Sequence, residues 1–387
     1  MKVVLTTPGR FHTFALAREL LRHGVLDKIF TGFPWAKVAR EKIPRQYIRT
    51  AAWFQTPRFA LNRVGLCPKW LDREMGILAQ STIDRYAKWR MGRPDIYLAL
   101  SGSGFVSGPA AQANGAKYIC DRGSSHILFQ DQILREEYRR YGVNIPSIDP
   151  RTILRELTEY ALADAITVPS EFVRKTFIDL GVDPRRVRKI PYGSNIDVFH
   201  PVGVRPANDE FQVLFTGAIS LRKGVPYLFE AFKKLKHPRK KLVVVGMKTQ
   251  DWSIIKPFVP EGDVTFLGHV AQANLKHIMS RSHVMVLPSI EEGLAVVMGE
   301  ALACGCPVIA TENTGAADLF CNDVEGFIVP NRAVDIITER LQLLADDGDR
   351  RMRMSEAARQ RVLHMGGWRT YGDSMVALFC ELTGLPS

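Results

Sequence analysis

Glu292 and Glu300 stand eight residues apart in LPSIEEGLAVVMGEALACGCPVIAT. The apolar run ending in Leu-Pro-Ser reads as a strand, Glu292 and Gly293 fall in a loop, and the stretch through Glu300 reads as a helix. At the amino end of such a helix, free backbone N–H groups and the positive end of the dipole attract a diphosphate. A carboxylate one or two turns into the helix can accept two hydrogen bonds from a vicinal diol such as a ribose. One in the preceding loop can do the same for a sugar ring. Gly293 has no Cβ, so backbone and ligand can approach closely there. Taken alone, a glutamate pair of this kind is more often an ordinary helix start with a solvated carboxylate.

Other groups able to act on the same ligand follow other strands. In FTGAISLRKG, Gly217 ends a strand, and Arg222 and Lys223 supply two cations suited to departing phosphate oxygens; a solvated turn is the plain alternative. TTPGRFHTFALARELL sets Gly9 and Arg10 after the first strand and His12 at a helix start, where His12 is equally well a residue with no ligand. KYICDRGSSH places Asp121, Arg122 and His126 past a further strand, with Ser124 and Ser125 able to cap the next helix. The DGD at Asp347 to Asp349 reads as a solvated turn, so no metal site is expected. Six scattered cysteines, without CxxC spacing, read as free thiols in a reducing compartment, with Cys304 and Cys306 as buried packing.

The elements that must position these groups alternate. KVVLTT, DIYLAL and AKYIC are short apolar strands separated by amphipathic stretches such as TFALARELLRHG, the pattern of parallel sheets covered by helices. The rhythm breaks at PYGSNIDVFHPVGVRPANDE and restarts with FQVLFTG, KKLVVVG, VTFLG, HVMVLPS and CPVIAT. A chain of 387 residues is also too long for one ordinary core. Two α/β lobes of Rossmann type are expected, residues 1–203 and 204–369, with a cleft between the carboxyl ends of their sheets.

These segments together resemble the GT-B retaining glycosyltransferases, particularly the large family-four group, over nearly the whole chain. The glutamate pair before ACGCPVIA looks like that family's donor motif, and FTGAISLRKG like its phosphate-binding strand and loop. AITVPSEFVRKTFIDLGVDPRRVRKIPYGSNIDVFHP is similar to its interdomain passage, and GWRTYGDSMVALF to its closing helix. The resemblance implies a GT-B fold, with the last helix, about 370–387, packing back on the first lobe. It implies a nucleotide-diphosphate sugar as donor, with no cofactor and no metal. Glu300 would hold the donor ribose and Glu292 would face the transferred sugar. Amides around Gly293, Leu294, Ala295 and Val296 would serve the pyrophosphate, with Gly217 and Gly9 admitting backbone close to it and Arg222 and Lys223 neutralising it. Either Asp121 or His126 would contact the donor sugar. Transfer would proceed with retention at the anomeric carbon, and the departing phosphate would receive the acceptor's proton. The chain departs from the family at Ala218, where an arginine is common, and at Leu294 and Ala295, where the family's EGFG becomes EGLA.

Charge adds a partner to these expectations. Residues 1–200 carry 31 Lys and Arg against 19 Asp and Glu, whereas residues 201–387 carry 21 against 21. The first lobe therefore implies an anionic partner. The stretch 33–70 mixes Trp35, Trp53, Phe54 and Phe59 with many cations and little strand signal, which suits helices at an anionic membrane surface bringing a lipid-linked acceptor to the cleft. A helical insertion with buried aromatics fits as well. Glycan and small-molecule acceptors remain open. No signal peptide or membrane span is expected, which points to the cytoplasm, either free or attached to a membrane only from the side. A phosphorylase or nucleotide-sugar epimerase shares the architecture. A nucleic-acid-binding protein has only net charge behind it, and no nucleic acid is expected.

Overall fold

The computed structural model describes residues 1–63, 66–203 and 209–385. The expected boundary after residue 203 adjoins residues 204–208, which lie outside the described residues.

The first sheet has seven strands, β1 (Val3–Thr7), β2 (Leu26–Thr31), β3 (Ile48–Thr50), β4 (Ile96–Leu100), β5 (Lys117–Asp121), β6 (Ala165–Val168) and β7 (Val187–Lys189). Their order is β3-β2-β1-β4-β5-β6-β7, and every pairing is parallel. The second has six, β8 (Phe211–Thr216), β9 (Lys240–Val245), β10 (Val264–Gly268), β11 (Val284–Leu287), β12 (Val308–Thr311) and β13 (Gly326–Val329). These run β10-β9-β8-β11-β12-β13, again all parallel. The chain is thus α/β with two Rossmann-like sheets, the GT-B architecture expected from the sequence.

Central strands such as β1, β11 and β12 are buried along their whole length, which is why they read as unbroken apolar or β-branched runs rather than as alternations. Each fully buried Val, Leu or Ile contributes about 1.5–3 kcal/mol relative to exposure. β3 differs from the sequence reading, which saw little strand signal in residues 33–70. Ile48 buries its side chain while Arg49 and Thr50 stay half-exposed, so a three-residue edge strand forms without any sequence pattern. Around it stand short helical turns, Trp35–Val38, Ala39–Glu41 and Arg45–Tyr47, and the helix Gln55–Arg63.

Five helices bear on the site: α1 (Thr13–Arg22), α2 (Ile127–Arg140), α3 (Val225–Lys234), α4 (Val296–Ala303) and α5 (Gly367–Thr383). In both sheets the strand order reverses, between β1 and β4 in the first and between β8 and β11 in the second. At such a switch point neighbouring loops diverge and leave a crevice at the carboxyl ends of the strands. The two crevices face each other. α5 lies on α1, where Gly372 leaves no room for a Cβ beside Glu19 and Asp373 meets His23 Nε2 at 2.8 Å.

Candidate active site

α4 begins right after the loop that leaves β11, with Ala295 as its N-cap. Its first turn carries no acidic side chain and no side-chain cap, so the positive end of the helix dipole is not neutralised from within. The amides of Gly293 and Leu294 have no partner among the described residues. The Ala295 amide instead donates to the Thr314 carbonyl at 3.3 Å, which removes it from the set expected to serve a phosphate.

Glu300 lies in the second turn of α4 and is 8% exposed. Burial, with no hydrogen bond or cation among the described residues to offset it, pushes its carboxyl up to about 8. It lines a cavity of about 560 Å³ between the lobes, together with Val296 of α4, Gln272, Trp368, and Arg10, His12, Arg122 and Ser124 of the first lobe. An unpartnered carboxylate at the wall of a cleft is a ready acceptor for paired hydroxyls.

Glu292 is paired with Lys223 at the head of the same loop. The two side chains expected to serve the sugar and the phosphate therefore stand in direct contact. Arg222 departs from expectation. Its Nη2 lies 2.8 Å from Glu291 Oε2 and 3.4 Å from Ser124 Oγ, and its Nε donates to the Glu291 carbonyl at 3.2 Å. It is committed to a bridge between the lobes rather than turned to a phosphate.

Glu291, adjacent to Glu292, is not singled out by the sequence pattern and is fully buried. It accepts from the Ser125 amide at 2.9 Å, Ser125 Oγ at 2.8 Å and Gln130 Nε2 at 3.0 Å. Burial alone would raise its carboxyl, but Arg222 and these donors outweigh that and hold it below the ordinary value. The only available signal was that two adjacent carboxylates at a buried strand end require two separate partners.

Gly293 also acts differently from the expectation of close ligand approach. A Cβ there would lie 1.9 Å from the Gly123 carbonyl oxygen, so the missing side chain lets the first lobe's loop seat against the loop before α4. Ser170 Oγ donates to the Gly293 carbonyl at 2.6 Å and fixes the same contact. Leu294 and Ala295 are core residues. Gly217 and Lys223 belong to one turn, with Lys223 Cε 3.6 Å from where a Cβ on Gly217 would stand. Gly9 lies in the loop after β1 and lines a second cavity, of about 800 Å³, wholly within the first lobe.

Neither residue expected to contact the donor sugar is free to do so. His126 caps α2 by accepting the Leu128 amide on Nδ1 and turns its ring into the core against Tyr160 and Phe177. Burial, with nearby Arg122, lowers it to about 4. Asp121 is 2% exposed with both oxygens engaged, one by Thr167 Oγ1 at 2.8 Å and the other by His12 Nε2 at 2.5 Å. What reaches the cavity from this region is His12, with Arg122, Gly123 and Ser124. Asp347 caps a helix by accepting the Arg350 amide at 2.8 Å, and all six cysteines are free. Among the described residues no helix is long and apolar enough to cross a membrane.

Residues 200–361 match the family described as glycosyl transferases group 1. An uncharacterized glycosyltransferase of Methanocaldococcus jannaschii is 26% identical over 282 residues, 68% of this chain and 70% of that protein. Glycogen synthase of Mycobacterium tuberculosis is matched over only 44% of its own length. Among solved structures, sucrose-phosphate synthase from Thermosynechococcus elongatus superposes with a TM-score of 0.75 at 20% identity, covering 99% of both chains. Anabaena HepE in complex with UDP-glucose gives 0.70 at 16%, covering 100% of both. The chain has the GT-B fold of these structures, and residues 200–361, most of its second lobe, carry the match to the group 1 glycosyltransferases.

Proposed function

We propose that the chain moves a sugar from a nucleoside-diphosphate donor, with retention at the anomeric carbon and without a metal, to an acceptor held by the first lobe. The observation that carries this reading is Glu300, a nearly buried carboxylate without a partner at the wall of the interlobe cavity. Its position suits a ribose diol, the α4 amino end suits the diphosphate, and Lys223 beside Glu292 supplies a cation where negative charge develops on the leaving group. HepE, of the same fold, was solved with UDP-glucose, which makes UDP the first nucleotide to try.

Thermal unfolding with UDP, GDP and ADP tests the donor site, because a ligand that binds only the folded state raises the transition. UDP is expected to raise it, and Glu300→Gln to abolish the rise. No shift with any of the three would refute the donor site. The anomeric configuration of the product, read by proton NMR, tests retention.

The first-lobe cavity shares Arg10 and Phe11 with the cleft, so an acceptor lying there would reach the donor. Phe33 and Phe59 stack in its wall at 5.6 Å, and Lys37 lies over both rings. Apolar rings beside cations suit an acceptor with an apolar portion and a negative charge, such as a lipid-linked phosphate. Trp53, Trp70 and Trp89 are 62%, 67% and 83% exposed on this lobe, which supports attachment to an anionic membrane surface. Co-sedimentation with phosphatidylglycerol vesicles but not with phosphatidylcholine vesicles is the expected result, lost in the double variant Trp53→Ala, Trp70→Ala.

A further inference from the structure

An acceptor with an apolar portion and a negative charge still has to present a hydroxyl to the cleft, and the first-lobe cavity is furnished for the group that carries it. Three of the five cations in its lining are engaged by carboxylates. Arg58 meets Asp72 through two hydrogen bonds, from Nε at 2.8 Å and from Nη2 at 2.9 Å. Arg73 Nε lies 3.1 Å from Asp149, and Arg10 pairs with Glu41. Lys37 and Arg40 have no carboxylate partner among the described residues, and both are exposed. Apart from these two, the lining is close to neutral, which suits an uncharged ligand better than an anion.

The other polar groups of the lining are neutral. Gln55 opens the helix Gln55–Arg63 and is 9% exposed, and Gln80 stands on the helix Lys69–Arg90. Neither side-chain amide makes a hydrogen bond among the described residues, and neither does the Thr152 hydroxyl, which lines the same cavity. A buried amide left without a partner costs about 1–3 kcal/mol, so Gln55 calls for a ligand group that pairs with it. A primary amide both donates and accepts, as every sugar hydroxyl does, whereas an ionised phosphate only accepts.

Phe11 adds a flat apolar surface. It stands in the loop between β1 and α1, is 53% exposed, and borders both this cavity and the cleft that holds Glu300. The C–H bonds on one face of a pyranose point their positive ends at the negative face of an aromatic ring. A sugar ring on Phe11 would therefore stand where the two cavities meet, with its hydroxyls toward the donor.

We propose that the first-lobe cavity is a saccharide subsite, in which the reacting hydroxyl belongs to a sugar ring stacked on Phe11 and Gln55, Gln80 and Thr152 read neighbouring hydroxyls. Exposed Lys37 and Arg40 take the negative charge of whatever the saccharide is attached to. The acceptor is then a glycan or the sugar headgroup of a glycolipid, and a bare lipid phosphate or lipid alcohol is excluded. This inference rests on the donor reading above and narrows the acceptor within it.

The test measures binding, without donor, of probes that share one chain: the n-octyl glycosides of glucose, galactose, mannose and N-acetylglucosamine, and n-octyl phosphate, all below their micelle concentrations. Dissociation constants are read by ligand-observed NMR. At least one glycoside is expected to bind about 10-fold tighter than octyl phosphate, with saturation transfer strongest at its ring C–H protons. Gln55→Leu and Gln80→Leu should each weaken that glycoside about 5–10-fold. Phe11→Ala should weaken it about 10-fold, whereas Phe11→Tyr, which keeps the ring, should stay within about threefold of wild type. Octyl phosphate should change less than about twofold in every variant. UDP should still raise the unfolding temperature of the Gln55 and Gln80 variants, whose side chains lie outside the cleft. A chain that ignores UDP but holds the glycoside fails the donor reading and leaves the saccharide subsite standing. No glycoside bound more tightly than octyl phosphate, or glycoside affinity within about twofold of wild type in both Phe11→Ala and Gln55→Leu, would overturn the proposal.

Discussion

Glu300 combines two demands that oppose each other. A carboxylate meant for a ligand diol has no protein partner, and burial without a partner raises it to about 8 from an ordinary 4.5. Between those values the folded chain holds a proton that the unfolded chain releases, so stability falls as pH rises through this window. Glu159, raised by burial to about 8, acts in the same direction. Glu300→Gln is therefore expected to gain about 1–3 kcal/mol of stability at pH 8 and to flatten the decline, measured by denaturant unfolding of the ligand-free protein. The same substitution should abolish stabilisation by UDP. Because hydroxyls donate best to the ionised form, UDP affinity in the parent protein should rise between pH 6 and about 8, with proton release visible as buffer-dependent heat in titration calorimetry. Affinity independent of pH over that range would show that Glu300 is not the diol acceptor.

At the scale of elements, the loop from β11 to α4 serves both lobes. Its glutamates divide the work, Glu292 toward Lys223 and Glu291 toward Ser125, Gln130 and Arg222. Its glycine lies against the loop that follows β5, backbone against backbone. Carbonyl and Cβ cannot share that space, and neither chain segment has a flexible side-chain end to withdraw. Gly293→Ala is expected to cost about 1–3 kcal/mol by overpacking and to loosen the seat of the donor loop. A fall in both the unfolding midpoint and the turnover of UDP-glucose would be observed. A midpoint unchanged from wild type would mean that the two loops do not meet in solution.

At the scale of the whole molecule, α2 is the strut between the lobes. Glu137 is fully buried and accepts from Tyr227 Oη of α3 at 2.8 Å and from Arg332 Nε at 2.8 Å. Tyr138 donates to Asp251 at 2.6 Å, and Asp251 also accepts the Leu221 amide at 3.0 Å. On the far side of the interface, Asp318 accepts from Lys189 and from the Glu171 amide, each at 2.8 Å. Glu137→Ala leaves buried donors on α3 and at Arg332 without their acceptor, at a cost of about 1–3 kcal/mol to the lobe contact. An increase in the radius of gyration by small-angle X-ray scattering is expected. UDP binding should be retained, since the contacts proposed for it lie in the second lobe, while transfer, for which the proposal requires both lobes, should fall.

The sequence by itself determined the lobe architecture and carried the resemblance to the glycosyltransferases, because both are written in local patterns. Unbroken apolar strands, amphipathic helices, the glutamates eight apart and the Lys-Gly after β8 each occupy one contiguous stretch. β3 is not legible in the sequence because three residues at a sheet edge have no period. Only the tertiary structure decided which charged groups are spent on holding the lobes and which face the cleft. Arg222 and Lys223 are neighbours in the chain, yet one closes on Glu291 and the other on Glu292. His126 and His12 both stand at helix starts, yet one turns into the core and the other meets Asp121 at the cavity. The physical reason is chain distance: the Ser125 to Glu291 contact spans 166 residues and the His12 to Asp121 contact 109, and pairings that long are set by strand order rather than by any local preference.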